Sequence, residues 1–142
     1  MPIRASLRWF YPIDWPQLSR EIRFVRAKGR CETCARRHKD KILCLPDGRW
    51  FDRAGSCWLD GHGHKCLAPW GPDLDQLRAT RVILAAAHLD HDPANSVPSN
   101  LKSLCQRCHM LHDRPHHLAQ RRLTYLRRWA IGDLFTGLYA IR

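Results

Sequence analysis

Acidic residues are scarce in this chain, and long apolar runs are missing altogether. Asp and Glu number 13 against 24 Lys and Arg in 142 residues, so an acidic surface is excluded and a polyanionic partner is favoured. The longest unbroken apolar stretch, residues 82 to 87, has six residues. A membrane-spanning helix needs ~20, and none is expected. Near the N-terminus, Trp9, Phe10 and Tyr11 are cut off by Pro12 and Asp14 before the apolar core of an export signal could develop. An unexported, cytoplasmic chain is therefore expected. Internal repeats and low-complexity tracts are lacking too, and the length suits one domain rather than a multidomain enzyme.

The positive charge that is present sits at the two ends. Residues 1 to 40 hold ten basic and four acidic residues, and residues 114 to 142 hold six and one. Residues 41 to 113 hold eight of each and cancel. A neutral centre between basic arms suits local chemistry flanked by sequence-independent phosphate contacts. A high positive charge also serves solubility alone, so charge by itself names no function.

Cysteine is plentiful, with seven residues. In a reducing compartment that odd number points to metal ligation before disulfides. Cys31 and Cys34 form one C-x-x-C pair and Cys105 and Cys108 a second, with seventy residues between the pairs. Two such knuckles supply the four thiolates of a closed, tetrahedral, structural Zn2+ site. Redox dithiols or buried free thiols are the competing reading. Cys44, Cys57 and Cys66, with His62 and His64 among them, could build a second zinc site. Residues 45 to 71 are rich in Gly, Pro and Asp without a clear period, so a surface insertion carrying free thiols is the alternative.

Residues 14 to 28 read as a helix. Asp14 stands at its N-cap, Gln17 at the capping-box return, Pro16 in the first turn, and Leu18, Ile22 and Val25 recur at helical spacing before Gly29. Residues 35 to 80 read as mostly irregular, with a hairpin around Pro46, Asp47, Gly48 and Arg49. Residues 81 to 88 form the one convincing strand, covered on both faces because its apolar residues do not alternate. A helix starts near Gln106. Asp113 can cap a further, basic helix with Pro115 in its first turn, running through Leu118, Leu123, Leu126 and Trp129 to Gly132. Arg121, Arg122, Arg127 and Arg128 make that helix a phosphate-facing surface or a solvated basic one.

The stretch from residue 87 to 113 carries the densest chemistry: His88, Asp90, His91, Asp92, Asn100 followed by Leu101, then Cys105, Cys108, His109 and His112. In this order it resembles the HNH endonucleases, and residues 11 to 34 are similar to the zinc-bearing branch found in phage and bacterial genomes. The resemblance implies an α+β fold: a zinc-stabilised ββα-metal core over residues 81 to 113, flanked by N- and C-terminal helices. It implies hydrolysis of DNA phosphodiester bonds with Mg2+ or a similar divalent ion. His88, twelve residues before Asn100, takes the place of the general base. Asn100 orients the base or contacts the metal, and His109 takes the place of the helix ligand to the catalytic ion. This sequence has Ala87 where the family usually sets Asp or His, so Asp90, His91 and Asp92 just beyond are the candidate replacement ligands, Asp90 first. A second register makes His91 the base, after Asp90. His112, one turn beyond His109, could face the same ion. His116 and His117 carry no assignment. The rival is a non-catalytic zinc module for nucleic acid or protein, with a degenerate HNH site. A subunit that works only with partner proteins in a phage or defence complex is a third option.

Overall fold

The computed structural model describes residues 5–70, 77 and 79–136. The described residues fall into two compact units, divided between His109 and Met110. Mixed helix and strand make up the first. No helix among the described residues is long and apolar enough to cross a membrane.

After a 3-10 turn, Ala5–Phe10, helix α1 covers Trp15–Arg20 and continues as a π-helical stretch, Glu21–Arg26. Asp14 stands at the N-cap but its side chain makes no capping bond. Its carbonyl instead accepts from Gln17 N at 2.9 Å and Leu18 N at 3.0 Å, so the capping box expected from the sequence does not form. Wide winding also breaks the anticipated stripe. In a π-turn the bonded partner is i+5 rather than i+4, which carries Val25 off the buried face of Ile22 and leaves it exposed. Gly29, at φ +68°, closes the segment with its N–H on the Arg23 carbonyl.

Residues 41 to 66, expected to be irregular, form an antiparallel meander: β1 (Lys41–Cys44), β2 (Trp50–Asp52), β3 (Cys57–Leu59) and β4 (Lys65–Cys66). With β5 (Ala79–Arg81) they make a sheet of order β4-β3-β2-β1-β5. Strands of two to four residues are too short to display a period, which is why composition read as loop. The expected β1–β2 hairpin is present. Leu45 N bonds Arg49 O at 2.9 Å, and Gly48 turns the chain at φ +100°.

The strand anticipated over residues 81 to 88 is two strands in two sheets. β5 pairs with β1, the chain passes through Val82 and Ile83, and β6 (Leu84–His88) pairs with β7 (Leu101–Cys105). Main-chain bonds pin the switch: Val82 N donates to Asp40 O at 2.8 Å, and Val82 O accepts from Lys39 N at 2.7 Å. Gln106 clasps its other side, accepting from Ile83 N and donating to Arg81 O. His38 Nδ1 accepts from Leu84 N at 3.1 Å. Burial holds the His38 pKa below the usual imidazole value, in keeping with an acceptor nitrogen. The fully buried residues of β6, Leu84 and Ala87, are an odd number of positions apart and so lie on opposite faces, each face being covered over part of its length.

Helix α2 runs Gln106–Thr136 without the interruption expected at Asp113. Pro115 lies inside it; the long run of helix formers after it, Leu, Ala, Gln and Arg, sustains the winding. Gly132, expected to end the helix, lies within it, and residues 137–142 fall outside the described residues. Along the second unit, Leu118, Leu123, Leu126 and Trp129 are exposed.

Candidate metal centre and catalytic site

The core of the first unit is built around sulfur. Cys31, Cys34, Cys105 and Cys108 are buried in one cluster with Ile42, Trp50, Leu59, Val82, Leu84, Ala87 and Leu104. Their four Sγ atoms all lie within 4.8 Å of one another, and Cys34 and Cys105 are 3.6 Å apart. A tetrahedron with Zn–S bonds of ~2.3 Å has edges of about 3.8 Å. The four cysteines are therefore positioned to hold a metal ion, and the donor set matches structural zinc.

Local backbone geometry delivers each sulfur. In the first knuckle Ala35 N bonds Cys31 O and Cys31 N bonds Arg36 O, both at 2.9 Å, with Ala35 left-handed at φ +61°. The second knuckle is the junction where β7 ends at Cys105 and α2 brings Cys108 round in its first turn. Ser103, wholly buried, stitches the two together. Its N–H reaches Glu32 Oε2 at 2.6 Å, its hydroxyl donates to Arg30 O at 3.1 Å, and its carbonyl accepts from Glu32 N at 2.9 Å. Crowding splits the thiols' acidity. Hydrogen bonding with Cys105 is the largest influence lowering Cys31 and raising Cys34 and Cys108, and the bond from Cys108 holds Cys105 down at about 6. A cation would relieve that crowding by taking all four as thiolates.

The second cysteine group is not gathered into a site among the described residues. Strand alternation explains this. Cross-strand register puts Cys66 in the row of Leu43, Phe51 and Trp58, whereas Cys44 shares the neighbouring row of Trp50 and Leu59. Adjacent rows face opposite sides of a sheet. Cys57 returns to the Cys44 side, but two strands away, about 10 Å at ordinary strand spacing. Cys44 and Cys57 pack on the core instead, and burial pushes the Cys44 thiol up. His64 pairs with Asp60 at 3.4 Å.

The β6–β7 hairpin leads straight into α2, with His88 opposite Leu101 at its loop end. His88 is half-buried. Its ring stacks on Trp15, with centroids 5.0 Å apart at 15°, and meets Tyr11 edge-on at 5.6 Å. Burial lowers its pKa, while Asp90 and Asp92 pull weakly the other way. The lowered value favours the neutral form of the imidazole.

Asn100 knots the loop between the strands. Its Nδ2 donates to Asp90 Oδ1 and Asn95 O, both at 2.8 Å, and its Oδ1 accepts from Asp90 N at 3.3 Å. Asp90 also accepts from Asp92 N at 2.9 Å and Asn95 Nδ2 at 2.6 Å. These donors, Asn100 first, hold the Asp90 carboxyl at about 2, so it stays ionised. Arg26 ties the loop from outside. Its guanidinium donates to Pro98 O at 2.8 Å and Leu101 O at 2.6 Å, on either side of Asn100, and pairs with Glu32 at 3.0 Å. His91 adopts φ +62° in the turn that leaves β6, a left-handed conformation that strains a side chain with a Cβ.

His109 follows Cys108 on the first turn of α2 and is half-buried, while His112 lies on α2 in the second unit. His88, Asp90 and His109 do not form a group whose ligand atoms all lie within 4.8 Å. Ala87 is buried in the core, so a ligand side chain there would have displaced packing. Sequence reasoning missed Ser96, which lies in the hairpin loop itself, and Tyr11, Trp15 and Arg26, which reach the hairpin only through tertiary folding. The chain matches no known family profile, no curated protein and no solved structure.

Proposed function

We propose that this chain is a zinc-stapled HNH-type endonuclease that hydrolyses phosphodiester bonds in DNA. The observation that carries the reading is the sequence of parts at the hairpin: a neutral, half-buried His88 at the end of β6, an Asn100–Asp90 knot in the loop, and His109 one residue after a zinc-type knuckle. His88 takes a proton from the attacking water. His109, together with the ionised Asp90 of the loop, would supply N and O donors of the kind that a hard divalent ion such as Mg2+ accepts, and such an ion would stabilise charge on the phosphate and leaving oxygen. Asn100 keeps the loop in shape. Basic residues of the first 40 positions contact the DNA backbone without reading sequence. Plasmid nicking with Mg2+ or Mn2+ tests this: wild type cuts, His88→Ala does not, and the variant keeps its zinc. If His91→Ala is dead while His88→Ala cuts, the base is His91.

Two observations favour a second reading, a zinc module that binds nucleic acid or protein without cutting: buried Ala87 in the ligand position, and the separation of His88, Asp90 and His109 beyond mutual ligand range. Metal behaviour separates the two. A nuclease binds a weaker, exchangeable divalent ion besides tight zinc, and a binding module binds zinc alone.

A further inference from the structure

We infer that Ser96 is a positioning residue for His88, fixing its imidazole as the tautomer with hydrogen on Nε2 and the lone pair on Nδ1. This deepens the proposed function, since it rests on His88 acting as the base. A hydroxyl has a single hydrogen to donate. Ser96 Oγ gives it to the carbonyl of Pro93 at 3.2 Å, and the same Oγ lies 3.1 Å from His88 Nε2. Only this assignment satisfies both contacts: with the hydrogen turned to Nε2 instead, the Ser96 and Pro93 oxygens would face each other at 3.2 Å with none between them, so Oγ accepts from Nε2 and Nε2 carries the hydrogen. A neutral imidazole then has its basic electron pair on Nδ1.

The ring is held so that this relation cannot be exchanged. Stacking on Trp15 and edge contact with Tyr11 restrict rotation about the Cβ–Cγ bond, which would swap the nitrogens against their carbon neighbours. Ser96 itself is half-buried in the loop that the Asn100 knot closes, eight residues beyond His88. The loop thereby does two jobs, closing the hairpin and setting which nitrogen is basic. Choosing a histidine tautomer through a bond to its other nitrogen is a general device for orienting bases and ligands.

The test is 1H–15N spectroscopy of the histidine rings in the full chain with zinc, above the imidazole pKa, with His88 assigned through His88→Gln. Wild type should show His88 as one tautomer with an exchange-protected Nε2–H. Ser96→Thr, which keeps the hydroxyl, should retain that signal. Ser96→Ala should lose the protection, and its kcat for plasmid nicking should fall by up to about tenfold with KM unchanged, the worth of one hydrogen bond. A hydrogen on Nδ1 in wild type, or a protected Nε2–H persisting in Ser96→Ala, would overturn the assignment. If Ser96→Ala fails to fold, the wild-type and Ser96→Thr spectra still decide. Absence of cleavage by wild type would sink the nuclease reading and leave the tautomer result standing, so the two failures are distinguishable.

Discussion

Replacing Cys34 by Ser probes the centre of the first unit, because this sulfur is wholly buried and lies 3.6 Å from Cys105. A serine hydroxyl stays un-ionised at neutral pH and is a poor zinc ligand, so one corner of the tetrahedron is lost. Structural zinc contributes on the order of 10–16 kcal/mol of apparent binding energy in small domains, against total stabilities of roughly 5–15 kcal/mol. Even a fraction of that loss unfolds a unit whose core is formed by the ligands themselves. Cys34→Ser should therefore contain well under one zinc per chain and show no cooperative thermal transition. Cys44→Ser is the control. Cys44 packs on the same core outside the four-sulfur cluster, so its substitution should cost about 1 kcal/mol and keep one zinc. The measurements are metal content after gel filtration and circular dichroism melts with and without a strong chelator. A Cys34→Ser protein that melts cooperatively within a few degrees of wild type, chelator present, would refute the zinc staple.

Arg26→Ala removes the carbonyl bonds on both sides of Asn100. At about 0.5–1.5 kcal/mol per bond it should cost roughly 1–3 kcal/mol in urea unfolding, the exposed Glu32 pair adding little. Gly48→Ala places a Cβ at φ +100° against the guanidinium of Arg107. The side chain can swing away but the backbone cannot, so a loss of about 1–2 kcal/mol is expected from the same unfolding curves. The Asp90 carboxyl is depressed from 3.8 to about 2. Its contribution to stability is thus complete above pH 3.8 and is lost as pH falls toward 2. Asn100→Ala, which deletes the leading donor, should raise the Asp90 pKa in a 13C carboxyl titration; an unchanged value would exclude the knot.

The metal centre was legible because C-x-x-C is a spacing that survives any fold between its two copies, and the sulfurs of residues 31, 34, 105 and 108 do converge. The 45–49 turn was equally readable from Pro, Asp and Gly in succession. Strands β1 to β4 were not. Each is too short for alternation, and what stabilises them is register against one another, a non-local property. The run from 81 to 88 looked like a single strand because nothing in an apolar sequence marks the point where pairing partners change; Asp40, Lys39, Gln106 and His38 make that switch from elsewhere. His88, Asn100 and His109 were picked out as a group, with Asp90 as a candidate ligand; the loop joins Asn100 to Asp90 through two hydrogen bonds, while His88, Asp90 and His109 do not all come within ligand range of one another. The stacking of Trp15 on His88 spans 73 positions and has no local signature.

The initial rate of supercoiled plasmid nicking by wild type and His88→Ala, matched for zinc content and thermal midpoint in Mg2+, bears most directly on the proposed function. Loss of a general base predicts a drop of about 10²–10⁴-fold. Equal rates in the two proteins, or no cutting by wild type with any divalent ion, would contradict it.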